Sequence, residues 1–170
     1  MKTMNRFFLV LLAGVFLLAL AGCESSSVSA NKAEDSSGLL TIGVPSGHVF
    51  DLPADRFNLT SSGARDRYKS ANITILETDN FTASKKRFER NYCEGYSYSS
   101  NDSSREAILP QTGLKAVVTK SRLSISGNWR TVTYAYVPEI HLLVIFSPSG
   151  KDASNGEIVE IWEKTFRKVS

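Results

Sequence analysis

The sequence predicts an α+β fold, an antiparallel-rich sheet with two helices packed on it in the manner of an α/β/α sandwich. Three observations carry that expectation. Extended segments recur between turn signals from Leu39 onward. Two stretches, 81–96 and 158–169, repeat apolar residues every three to four positions, as amphipathic helices do. The run "IHLLVIFS" is apolar on both faces: Ile140, Leu142, Val144 and Phe146 on one, Leu143 and Ile145 on the other. Such a strand belongs at the centre of a sheet covered on both sides.

In chain order, "LLTIGV" (39–44) is a first strand, stopped by Pro45 and Gly47. "RFNLTSSG" holds a short second one, with Phe57 and Leu59 alternating, and "ANITILET" (71–78) a stronger third. In the latter Ile73 and Ile75 share a face and Leu76 takes the other. Asp79 or Asn80 then caps a helix whose inward stripe is Phe81, Ser84, Phe88, Tyr92 and Tyr96. Lys85, Lys86, Glu89 and Arg90 turn outward in this reading. The helix frays near Gly95, before a polar loop, "SYSSNDSS". "LKAVVTKSRLSIS" supplies one long strand or two short ones, Gly127-Asn128 marks a turn into "WRTVTYAYV", and Pro138-Glu139 leads to the apolar run. Pro-Ser-Gly occurs at 45 and at 148, each time as a turn after a strand. The closing helix opens on a capping box, Ser154-x-x-Glu157. Its apolar stripe is Ile158, Ile161, Trp162, Thr165, Phe166 and Val169, with Glu160–Lys164 and Glu163–Arg167 pairs on the wet side.

Ahead of this domain stands a different kind of segment. Lys2 and Arg6 form a positive start, and Phe7 to Leu20 an uninterrupted apolar run. At ~1.5 Å per helical residue those fourteen positions span about 21 Å, short of a hydrocarbon core of about 30 Å. That is short for a permanent membrane span and normal for a cleaved signal peptide; an ordinary secretory signal or an uncleaved anchor is the plainer alternative. The run ends Leu20-Ala21-Gly22-Cys23, which resembles the bacterial lipobox: an aliphatic residue, two small residues and a cysteine. The resemblance implies cleavage between Gly22 and Cys23 and a diacylglyceryl group on the Cys23 thiol, with an acyl chain such as palmitate added to the new amino group. One chain anchors marginally, whereas two or three hold a protein on a bilayer. "ESSSVSANKAEDSS" follows without apolar periodicity, as suits a flexible tether. The expected organisation is a signal peptide at 1–22, a lipidated tether at 23–37 and one globular domain at 38–170. Glu24 follows the cysteine where aspartate would favour inner-membrane retention, so inner and outer membrane both stay open.

The whole chain carries 20 Lys+Arg against 17 Asp+Glu. Lys2 and Arg6 leave with the signal, so 18 face 17 in the mature chain, and the basic balance is no argument for nucleic acid. Local basic clusters remain at 65–69, 85–87 and 167–168, read as solvated faces or as a weak contact with anionic headgroups near the anchor. With Cys23 acylated, Cys93 is the one remaining thiol, and an intramolecular disulfide is excluded. It reads as a buried apolar-like side chain, a route to an intermolecular disulfide, or a nucleophile.

Behind the lipobox, the order of elements resembles the DcrB and PsbP-like group of small α/β/α lipoproteins. "LLTIGVPSG", "ITILETDNFTASKKRFERNY", the strands from "LKAVVTKSRLSIS" to "IHLLVIFSPSG" and the closing helix carry the resemblance. The chain departs from it by one fewer clear strand between Ile125 and Ile140. The resemblance implies an accessory or binding role in the envelope and offers no catalytic residue.

Little in the sequence calls for chemistry. His48 falls in a turn and His141 in the apolar strand beside Glu139; metal-ligand spacing, phosphate-binding loops and nucleophile elbows do not occur. No cofactor is expected. A small envelope enzyme using Cys93 or His141 is the alternative of another class, and an inhibitor or immunity-type lipoprotein a third. Trp129, Tyr134 and Tyr136 are the candidate binding surface for a protein, peptide or glycan partner; the plainer reading of Tyr134 and Tyr136, which share a strand face, is core beneath a helix. The expectation is a membrane-anchored envelope lipoprotein acting as a binding, scaffold or accessory module.

Overall fold

The computed structural model describes residues 38–53, 57–59, 71–94, 96–148 and 155–169. The signal, the lipobox cysteine, the cluster at 65–69, the second Pro-Ser-Gly turn beyond Pro148 and the capping serine Ser154 lie outside the described residues. The fold is mixed α+β and mostly strand. Nine strands and two α-helices are described: β1 Leu39–Val44, β2 His48–Pro53, β3 Phe57–Leu59, β4 Ala71–Glu77, α1 Phe81–Tyr92, β5 Tyr98–Ile108, β6 Lys115–Ile125, β7 Asn128–Val137, β8 Leu142–Pro148, α2 Gly156–Thr165 and β9 Arg167–Lys168. Six strands form one sheet in the order β3-β4-β8-β7-β6-β5, antiparallel except for the parallel β3–β4 pair. A small antiparallel sheet, β1-β2-β9, stands apart from it.

Strand alternation divides the core in two. On one face of the large sheet Ile73, Val118, Ala135, Val144 and Phe146 meet the small sheet and α2, with Ile42, Phe50, Trp162 and Phe166 filling the layer between. On the other face Leu123, Val132, Tyr134, Leu143 and Ile145 lie under Phe81, Phe88 and Tyr92 of α1. Every residue of β8 is buried, because the strand runs between β4 and β7 and is covered on both sides. Each such Leu, Ile or Phe contributes about 1.5–3 kcal/mol by leaving water, so β8 and its neighbours dominate the stability. The two-faced apolar run therefore sits where its pattern requires.

Several elements differ from the sequence reading. Ile140 and His141 do not belong to β8. A short 3-10 turn, Pro138–Ile140, joins β7 to β8, and His141 closes it at φ 53. "HVFDLP" is a strand, with His48, Phe50 and Leu52 buried on alternate positions, so His48 starts β2 instead of lying in a turn. The polar segment read as a loop is an 11-residue strand, β5, at the sheet edge and exposed along almost all its length. β6 is one unbroken strand, and the turn after it is Ser126-Gly127, one residue earlier than expected. Helix α2 stops at Thr165. Arg167 is drawn instead to Asp51 of β2 (Nη1–Oδ2 2.5 Å, Nη2–Oδ1 3.0 Å), and the chain after Phe166 joins the small sheet as β9. Glu163 accordingly pairs with Arg105 of β5, not with Arg167.

Candidate functional site

Helix α1 begins where expected. Asn80 is its N-cap, its side chain accepting from the Ala83 amide at 3.0 Å and satisfying one of the free donors of the first turn. The helix then buries a wider stripe than its apolar residues alone define. Lys85 and Glu89 point at the sheet, 8% and 3% exposed, while Lys86 and Arg90 face solvent. The outward orientation expected for Lys85 and Glu89 is therefore wrong. A long stem lets Lys85 bury its methylenes and reach two carboxylates: Glu89 Oε1 at 2.7 Å and Asp102 Oδ2 of β5 at 3.0 Å. Ser121 of β6 donates to Asp102 Oδ1 at 2.7 Å, and the Tyr134 hydroxyl donates to Glu89 Oε1 at 3.4 Å. The Lys85 ammonium also stands 5.5 Å from the centre of the Tyr134 ring.

This cluster sets the local proton affinities. Burial alone pulls the Lys85 pKa down, but hydrogen bonds and charge from Glu89 and Asp102 outweigh it, so the ammonium holds its proton more tightly than a free lysine. Burial, the Glu89 charge and the hydrogen bond to Glu89 push Tyr134 far above the ordinary phenol range. Cys93, the C-cap of α1, is 2% exposed, and burial and then Glu89 raise its pKa against a smaller opposing pull from Arg130. A buried thiol with a raised pKa is a poor nucleophile. The cluster, one ammonium between two carboxylates with two hydroxyl donors, ties α1 to β5, β6 and β7.

The two histidines lie apart from this cluster and from each other. The His141 carbonyl accepts from the Thr78 amide at 2.7 Å, which places His141 just before the start of α1; Cys93 closes the other end of that helix. Twelve helical residues separate the two ends by about 18 Å, so Cys93 and His141 form no pair. His48 belongs to the opposite layer, stacked on Phe166 at 5.2 Å with Nδ1 donating to the Ser46 carbonyl at 3.0 Å. Among the described residues no group of three or more His, Cys, Asp or Glu side chains is placed to hold a metal ion.

The structure splits the expected aromatic surface. Tyr134 is fully buried and meets Phe88 edge-on at 6.0 Å, and Tyr136 stacks on Phe81 at 5.5 Å. Both are core beneath α1. Trp129 lies on the other face of the sheet, 50% exposed, with the Arg122 guanidinium 4.5 Å from its ring. Residues five apart on a strand point to opposite sides, so the separation of Trp129 from Tyr134 was written in the spacing. What the sequence reading missed is the company Trp129 keeps. Register sets Tyr98 opposite Ile125, Ile125 opposite Asn128 and Trp129 opposite Ser124 at one end of the sheet. On the α1 face of that end, opposite Trp129, Tyr92, Tyr96, Ile125, Ser126, Asn128 and Arg130 line an open cleft of about 330 Å³, with the Arg130 Nη1 donating to the Tyr92 hydroxyl at 3.5 Å. This end, aromatic and cationic, is the candidate functional site, and it offers contact area and charge. No family model, curated protein or solved structure matches the chain.

Proposed function

We propose that this chain is a lipid-anchored bacterial envelope protein whose domain is a non-enzymatic binding or scaffold module. The observation that carries the reading is Leu20-Ala21-Gly22-Cys23 at the end of a fourteen-residue apolar run, with a polar stretch behind it. Acylated Cys23 holds the protein on the inner or outer membrane, and the tether gives residues 38–170 freedom to meet a partner. The proposal includes the resemblance of that domain to DcrB and PsbP-like proteins, which implies an accessory role. Within the domain, Lys85 is paired with Glu89 and Asp102, Cys93 is buried at the end of α1, His48 is stacked on Phe166, and His141 is exposed beside no second reactive side chain among the described residues. The exposed aromatic and basic end supports binding. No helix among the described residues is long and apolar enough to cross a membrane.

The test is metabolic labelling in a bacterial host. Radiolabelled palmitate enters the wild-type protein, and Cys23→Ala abolishes both the label and sedimentation with membranes. A Cys23→Ala protein that matures and sediments as before contradicts the proposal.

A further inference from the structure

We infer that the β6–β7 end of the large sheet is a docking surface for an anionic bilayer, through which the tethered domain lies on the membrane instead of standing free of it. The inference rests on the lipid-anchor reading above.

Four observations converge on this end. The hairpin segment 115–137 carries Lys115, Lys120, Arg122 and Arg130 and no Asp or Glu. Of its basic residues Arg122 and Arg130 sit nearest the turn, and Arg90 is exposed on the last turn of α1 alongside. Three acids lie nearby: Glu94 is exposed just past α1, Asp102 is held by Lys85 and Ser121, and Glu157 is exposed on the first turn of α2, whose Asn155 bonds the Thr131 carbonyl opposite Arg122. Among the described residues no carboxylate pairs with Arg122 or Arg130.

The second observation is the exposed aromatic set. Trp129, Tyr96 and Tyr98 are 50%, 62% and 37% exposed, and strand register gathers Trp129 and Tyr98 at the same end. Tryptophan and tyrosine favour the headgroup layer, where an apolar ring and a polar edge are both accommodated. Third, on the small-sheet face of the hairpin the Arg122 guanidinium lies over the Trp129 ring, 4.5 Å from its centre, so a cation and an indole stand side by side. Fourth, on the opposite, α1 face of the same hairpin tip the cleft has Arg130 and Asn128 at its wall and two tyrosines around it, room and donors for a phosphate-bearing headgroup, so the tip presents cations and rings on both its faces.

Weak contacts suffice at this surface because the anchor supplies proximity. Residues 23–37 number fifteen, a length of chain whose extended reach is at most about 50 Å. A domain of this size is about 30–40 Å across, so any of its faces can meet the bilayer. Basic side chains at an anionic surface then decide which face does.

The chain carries its own probe. It has two tryptophans, and Trp162 is fully buried, so a change in indole exposure to solvent on docking reads Trp129. The full-length lipidated protein is reconstituted into vesicles of phosphatidylcholine alone or with about 30% phosphatidylglycerol, and quenching by acrylamide is followed. At low salt the anionic vesicles reduce quenching of Trp129 about threefold or more relative to neutral ones, and 0.5 M salt removes the difference. Arg122→Glu lowers that protection while flotation with the vesicles persists; Trp129→Phe removes the signal. Equal quenching in neutral and anionic vesicles, or protection indifferent to salt, overturns the inference. So does equal protection by soluble glycerol phosphate, which would mark a site for a free anion. Flotation with neutral vesicles reads the anchor separately. A chain that does not float there is titrated with anionic vesicles in solution, where the same comparison decides.

Discussion

Lys85 shows how a charge can be buried on a helix whose apolar stripe runs beside it. Its ammonium meets Glu89 and Asp102, and removing it leaves Glu89 at 4% side-chain exposure with the Tyr134 hydroxyl for company. Lys85→Met is expected to cost about 3 kcal/mol in urea unfolding, because an uncompensated carboxylate stays buried. Lys85→Met with Glu89→Met should recover most of that loss; a double variant as unstable as the single one refutes the argument. Protons give a second handle. Lys85, Cys93 and Tyr134 all have folded pKa values above their ordinary 10.5, 9.0 and 10.0. The folded chain thus keeps protons that the unfolded chain releases, so their contribution is complete below about pH 9 and declines as pH rises beyond it. Thermal midpoints should fall along that alkaline limb, more shallowly in Tyr134→Phe. An identical slope in that variant contradicts the placement of Tyr134. Of this cluster only Tyr134, beneath the helix, was legible beforehand. Periodicity locates the stripe, but Lys85 and Glu89 flank it, and their type argues for solvent. The deciding partner, Asp102, comes from a strand far along the chain.

Among the elements, the β6–β7 hairpin gives the cleanest local test. Ser126 and Gly127 both have positive φ, 50 and 79, as a two-residue type I′ turn requires. A Cβ on Gly127 would meet nothing within 4 Å, so Gly127→Ala should cost the backbone penalty alone, about 1–2 kcal/mol. Ser126→Asn should stabilise by a few tenths of a kcal/mol, since asparagine tolerates that conformation better. Equal stability of Gly127→Ala and wild type would contradict the turn. Elements were legible in the sequence where side chains meet a core on one face or both. That holds for β4, β6, β7, β8 and the start of α1. β5 escaped because an exposed edge strand needs no apolar alternation; its backbone bonds to β6 hold it extended. β2 was legible and overlooked: His48, Phe50 and Leu52 alternate, but the Pro45-Ser46-Gly47 turn just before them drew His48 into the turn. At the end of α2, the apolar residues Phe166 and Val169 continue a helical period by chance. Asp51, invisible locally, captures Arg167 and pulls the chain into β9.

At the scale of the molecule, a six-stranded sheet is covered by α1 on one face and by α2 with a small sheet on the other. The covered faces leave one end, around Trp129, Tyr96 and Arg130, where rings and cations meet water together. The layering followed from pattern, whereas the composition of that end followed from register, which joins residues from three strands and a helix terminus. Function in this account depends on a lipid that brings that end to a surface. The most direct measurement is the intact mass and amino-terminal sequence of the protein isolated from bacterial membranes. The account predicts a chain that starts at Cys23 and carries diacylglyceryl, with or without a further acyl group. A chain that retains residues 1–22, or that starts at an unmodified Cys23, contradicts it.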